Sequence, residues 1–145
     1  MTFNLLEPET IWPVINGRRE IPLFTSFVTA GFPSPADDYL DKNIDLNEYL
    51  IANQSSTFLV RVKGDSMQGC GILDGDILVV DRSLEPAHNR VIVGIIDGEF
   101  TVKRFVRENG KAWLKPENPA YSSIEITPER DFTAWGVVTF AIHDL

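Results

Sequence analysis

The tetrapeptide Gly64-Asp65-Ser66-Met67 is followed, 37 residues after its serine, by Lys103 within Glu99-Phe100-Thr101-Val102-Lys103-Arg104-Phe105. A serine hydroxyl is a weak nucleophile until a neighbouring base takes its proton. The two histidines are badly placed to be that base, because His88 lies in the turn-forming run Glu85-Pro86-Ala87-His88-Asn89 and His143 lies near the end of the sequence. Lys103 is the alternative. It serves only if its amine is neutral near pH 7, which burial brings about by disfavouring the charged form. Period-two alternation puts Thr101, Lys103 and Phe105 on one face of a strand, in a Val/Phe-rich run that supplies apolar walls. Both residues also have plainer readings: Lys103 as a solvent-facing strand lysine, Ser66 as a hydroxyl capping the element after a turn.

In the catalytic reading, Gly64 permits a sharp bend with Ser66 exposed at its apex, and the backbone amides of Ser66 and Met67 are the candidate oxyanion donors. The same chain offers a bond to cut. Thr29-Ala30-Gly31-Phe32 lies in an apolar, turn-rich segment and sets small residues on both sides of one peptide bond, Ala30-Gly31.

Length and composition narrow the function classes. A chain of 145 residues suits one compact domain that needs no disulfide. Cys70 is the only cysteine, and no basic-then-apolar leader opens the sequence, so a cytoplasmic location is expected. The net charge of -8 repels a phosphate backbone, so no direct nucleic-acid binding is expected. Arg61, Lys63, Arg104 and Arg107 are interleaved with acids and read as solvated faces. Apolar runs fall far short of the roughly 20 residues that cross a bilayer, so no membrane role is expected. Two isolated histidines and Cys70 lack ligand spacing, so neither a metal nor a cofactor is expected. Cys70 reads as a small buried residue, and Asp74 and Asp76 as turn formers.

The elements that must position these groups are mostly strands. Residues 1 to 35 hold five of the nine prolines and read as an extended arm, whose apolar residues suit reversible docking. Ser34-Pro35-Ala36-Asp37 predicts a short helix start, and Asp45-Leu46-Asn47-Glu48 predicts a second. Strands are predicted over 57–63, 77–81, 90–96, 100–106, 111–114, 123–126 and 132–142, with Asp97-Gly98 as a two-residue hairpin turn. The fold is therefore mainly β, with antiparallel meanders, short N-terminal helices and an extended arm.

Several motifs in order, namely Gly31-Phe32-Pro33-Ser34-Pro35-Ala36, Ile44-Asp45-Leu46-Asn47, Gly64-Asp65-Ser66-Met67, Asp74-Gly75-Asp76 and Asp97-Gly98-Glu99-Phe100-Thr101-Val102-Lys103, resemble the UmuD-type branch of the LexA-like serine peptidases. The resemblance runs from about Gly31 to the C-terminus. It implies an antiparallel β fold like the LexA and UmuD C-terminal domains, with residues 1–30 as a cleavable arm and residues 31–145 as the peptidase-like domain. It implies Ser66 as nucleophile, Lys103 as base and self-cleavage at Ala30-Gly31, promoted by a RecA filament on single-stranded DNA. The implied product is a homodimer serving an UmuC-like Y-family DNA polymerase. Alanine before Gly31 follows the LexA pattern, where UmuD-type chains often carry cysteine.

Two other function classes compete. A GDS-type esterase requires alternating strands and helices, which the sequence lacks. A non-catalytic β-rich adaptor, acting through its apolar arm, differs from the peptidase in showing no self-cleavage at alkaline pH.

Overall fold

A computed structural model describes residues 3–5, 18–24, 28–33 and 40–145. The chain divides into two compact units, Pro13–Ala52, and Met1–Trp12 together with Asn53–Leu145. The described strands are β1 (Phe3–Leu5), β2 (Glu20–Phe24), β3 (Leu40–Asp45), β4 (Thr57–Val62), β5 (Ile77–Asp81), β6 (Val91–Ile96), β7 (Glu99–Glu108), β8 (Lys111–Lys115), β9 (Ile124–Ile126) and β10 (Phe132–Ile142).

In the smaller unit β2 and β3 pair antiparallel, Glu20 opposite Asp45 and Pro22 opposite Asn43. Neither strand was expected. Pro22 argues against a strand in a sheet interior but is tolerated in a two-stranded ribbon, where every strand is an edge. Asp45 then caps helix α1 (Leu46–Leu50), its carboxylate accepting the Asn47 amide at 2.9 Å as the aspartate signal predicts. The helix expected to start at Ser34 lies outside the described residues.

The larger unit is one eight-stranded antiparallel sheet in the order β1-β4-β5-β10-β6-β7-β8-β9. The predicted β-rich class is thus the observed one. Asp97 and Gly98 both adopt positive φ, 49° and 82°, as the tight β6–β7 hairpin requires. The sheet's buried residues form two apolar clusters. One gathers Val60, Val62, Met67, Ile72, Leu78, Val80, Val93 and Val102. The other gathers Ile92, Ile96, Phe105, Leu114 and Val137. β7 feeds both, since Val102 and Phe105 point to opposite sides of the strand, so its middle is buried on each face.

β10 joins the two halves of the sheet. It pairs with β6 through residues 132–137 and with β5 through residues 137–142, and its register shifts at Ala134/Gly136 and again at Val138/Phe140. Such bulges bend a strand and increase its twist. At the first of them Gly136 packs so closely that an added Cβ would stand 2.6 Å from Val80 Cγ1 and 3.3 Å from Arg82 Cγ. Val80 is wholly buried and has nowhere to go. Gly136→Ala is therefore expected to destabilise the protein by about 1–3 kcal/mol through overpacking. A lower urea midpoint with an unchanged denaturant slope checks this.

Candidate active site

Strand β4 ends at Val62, and the chain turns through Gly64, whose φ of 105° is a conformation that glycine adopts without steric cost. Asp74 holds that turn by accepting the Gly64 amide at 2.6 Å. Ser66 follows, and Met67 leads into a 3-10 turn over Gln68–Cys70. Met67 is fully buried in the first apolar cluster, worth roughly 1.5–3 kcal/mol of hydrophobic anchoring. The expectation of a serine exposed at the apex is corrected here. Ser66 is 1% exposed, because the methionine beside it draws the loop down onto the core.

A strap over residues 116–121 grips the same loop from the other side. The Glu117 amide donates to Ser66 O and the Gly69 amide to Glu117 O, each at 2.8 Å. Asn118 Nδ2 donates to Asp65 O at 3.0 Å, and the Tyr121 hydroxyl donates to Asp65 Oδ1. That carboxylate pushes the Tyr121 phenol above its ordinary pKa, first through the hydrogen bond and then through its charge. Arg104 is not the freely solvated residue its neighbours suggested: it is partly buried and bridges Glu117 Oε1 and Asn89 O, tying strand β7 to the strap. A Cβ on Gly69 would stand 2.5 Å from Glu117 O, so only glycine keeps this approach.

Lys103 enters from the middle of β7, opposite Ile92 of β6, and is 6% exposed. Its Nζ lies 3.2 Å from Ser66 Oγ, 2.9 Å from Thr101 Oγ1 and 3.1 Å from Val102 O. Among the described residues no carboxylate pairs with it. Burial without a counter-charge pushes the Lys103 amine below its ordinary pKa. Thr101, 8% exposed, had been read only as a face-mate of Lys103; the spacing of two along one strand was the available sign that its hydroxyl reaches the amine.

The remaining candidates lie apart from this pair. His88 Nδ1 accepts the Arg107 amide at 3.0 Å, and His143 Nδ1 stands 2.6 Å from Asp76 Oδ1. Asp74 and Asp76 shape a turn as expected, but Asp74 also fixes the serine loop, which turn propensity does not reveal. Cys70 is half-buried, with its thiol 3.2 Å from Met67 O, and burial raises its pKa. Ala30 and Gly31 lie in the smaller unit, in an exposed bend that the Thr29 hydroxyl closes by donating to Phe32 O at 2.6 Å. Among the described residues the amides of Ser66 and Met67 take no part in the loop's hydrogen bonds, which start from Gly64, Gln68, Gly69, Cys70, Gly71 and Ile72. No acid, histidine and cysteine cluster able to hold a metal occurs among the described residues.

The Peptidase S24-like family matches residues 22–139. The chain belongs to the S24 peptidase family. It is 42% identical over 128 residues to protein ImpA of Salmonella typhimurium, covering 84% of this chain and 83% of that one. It is 45% identical over 122 residues to protein SamA of the same species, covering 84% of each. The LexA repressor of Bordetella parapertussis shares 36% over 116 residues, 80% of this chain and 53% of the repressor. Within the S24 family these relatives make the chain a UmuD-like protein of the SOS response. No helix among the described residues is long and apolar enough to cross a membrane.

The buried amine has a consequence for stability. Between its lowered folded pKa and 10.5, the unfolded chain binds a proton that the folded chain does not, so stability rises with pH across that window. Below the folded pKa the burial penalty is complete; above 10.5 it has gone. In chains carrying Ser66→Ala, adding Lys103→Met is expected to raise the urea midpoint at neutral pH. The advantage should shrink steadily as pH approaches 10.5, read from unfolding curves at a series of pH values.

Proposed function

We propose that this S24 protein cuts its own chain at Ala30-Gly31 with Ser66 as nucleophile and Lys103 as general base. The observation that carries the reading is the 3.2 Å approach of Lys103 Nζ to Ser66 Oγ in a buried setting without a counter-ion. A neutral lysine amine has two N–H donors and one lone pair. Thr101 Oγ1 and Val102 O take the two donors, which leaves the lone pair for the Ser66 hydroxyl. An ammonium has no lone pair and leaves the serine inert.

In this reading Lys103 takes the Ser66 proton as Oγ attacks the Ala30 carbonyl carbon. The oxyanion is met by the Ser66 and Met67 amides, a type of contact worth about 3 kcal/mol of barrier. The proton passes from Lys103 to the Gly31 nitrogen as the C–N bond breaks, leaving an ester between Ala30 and Ser66. Water then attacks that ester and gives its proton to Lys103; the serine is restored and residues 1–30 leave with a carboxylate on Ala30. Residues 31–145 remain as the processed domain. Small side chains at positions 30 and 31 suit a bond that must approach a buried serine closely. The groove of about 460 Å³ beside the loop, lined in part by Pro116, Glu117, Pro119 and Tyr121, is room for the flanking segment.

A tether of about 35 residues holds the bond near the site at up to millimolar effective concentration, so a regulated protein must keep the cleavable pose scarce. A RecA filament on single-stranded DNA promotes cutting to the extent that it binds this pose more tightly than the idle one. By the family resemblance, the shortened chain acts in the cytoplasm as a homodimer that serves an UmuC-like Y-family polymerase in error-prone synthesis past DNA damage.

Incubating the purified protein with RecA, single-stranded DNA and nucleotide, then sequencing the new N-terminus, tests site and activator together. The expected start is Gly31, and a glutamate at that position is expected to stop the reaction. Without RecA, slow self-cleavage should quicken about tenfold per pH unit until the lowered Lys103 pKa is passed. Ser66→Ala, Lys103→Ala and Lys103→Arg should fold and stay intact, the last because guanidinium keeps its proton. Thr101→Val should fold and cut more slowly by roughly one to two orders of magnitude, because the amine loses the partner that orients it.

A further inference from the structure

Strand β1 lies at one end of the eight-stranded sheet, where its only neighbour among the described strands is β4. The pairing is antiparallel, with Phe3 opposite Val62, Asn4 opposite Arg61 and Leu5 opposite Val60. The Val62 amide donates to Asp76 O, toward β5. Backbone groups alternate along a strand, so the Arg61 N–H faces the opposite edge and Asn4–Arg61 is the pair that exchanges hydrogen bonds. β4 therefore has an edge fully able to pair, and in the intact chain three residues of the N-terminal arm fill it.

Such an edge is a template for any extended chain. A three-residue ladder is marginal by itself, and β1 holds its place because the rest of the arm keeps it near at high effective concentration. Cutting at Ala30-Gly31 removes that tether. We propose that the outer edge of β4 is a strand-binding site, held by the chain's own β1 until the arm is lost, and that it then accepts an extended segment of a partner protein by backbone pairing. The proposal takes from the proposed function only the loss of residues 1–30.

The edge also states what it would recognise. Val60 and Val62 face the core at 0% and 1% exposure, whereas Arg61 is exposed. Directly opposed residues share a face of the sheet. The partner segment therefore runs antiparallel to β4 with apolar residues opposite the two valines and a polar or acidic residue opposite Arg61. Phe3-Asn4-Leu5 has this order of types.

The test uses the full chain made uncuttable by Ser66→Ala, so its outcome does not depend on cleavage. Amide hydrogen exchange is compared in this protein and in the same protein carrying Asn4→Pro or Leu5→Pro. Proline at position 4 deletes the N–H that β4 needs, whereas the N–H at position 5 faces away. Arg61 is expected to exchange at least about tenfold faster with Asn4→Pro and unchanged with Leu5→Pro, with thermal stability equal in both. A synthetic peptide of residues 1–8 added to the Asn4→Pro protein should restore slow exchange at Arg61, and the same peptide N-methylated at Asn4 should not. The proposal is overturned if Arg61 exchanges equally in all three proteins, or if the two peptides act alike. It is also overturned if protection depends on protein concentration, which would mean that β1 comes from a second copy.

Discussion

An amine buried without an opposite charge is the constraint around which the larger unit is arranged. Lys103 sits in the buried middle of β7, opposite Ile92 of β6 and one residue before the pairing with β8 begins. Among the described residues the polar groups that meet it are neutral: two hydroxyls and a carbonyl. A single carboxylate in reach would hold the ammonium and raise its pKa, undoing what burial achieves. The protein has such carboxylates at hand, but Glu117 is engaged by Arg104 and Asp65 by Tyr121. Keeping this amine buried costs stability wherever it carries its proton.

The serine is held by several modest contacts instead of one strong one. Met67 anchors the loop in the core, Asp74 sets the bend at Gly64, and Glu117 and Asn118 tie down the backbone on either side of Ser66. These contacts come from three stretches of chain, at residues 67, 74 and 117–118. The precision of the 3.2 Å approach thus depends on tertiary structure closing around the loop, and no local turn preference would achieve it.

Most of the sheet was legible because its strands carry their own signals. β5 and β10 coincide with the predicted 77–81 and 132–142, and the hairpin at Asp97-Gly98 follows from turn chemistry alone. β2 and β3 were not legible: Pro22 and the polar run Asp41-Lys42-Asn43 mask a pairing that each strand gains only from the other. The alternation around Lys103 indicated its face, and the structure puts its amine beside Ser66. Thr101 as the amine's acceptor was overlooked although it is two residues away, whereas Asp74 reaches Gly64 across ten residues and Glu117 reaches Ser66 from the strap after β8, links that no local pattern reveals. The burial of Ser66 was missed for the same reason, since it follows from where Met67 packs.

β5 and β6 are consecutive in sequence, yet they do not touch in the sheet; β10 lies between them. The serine follows β4 in the half that contains β5, and the lysine belongs to the half that begins with β6. The strand that pairs with both halves, β10, comes last in the order of strands. The halves are also bridged by the strap after β8, which holds the serine loop through Glu117 while Arg104 of β7 holds Glu117. The approach of Lys103 to Ser66 therefore belongs to the completed sheet, and neither half contains it alone.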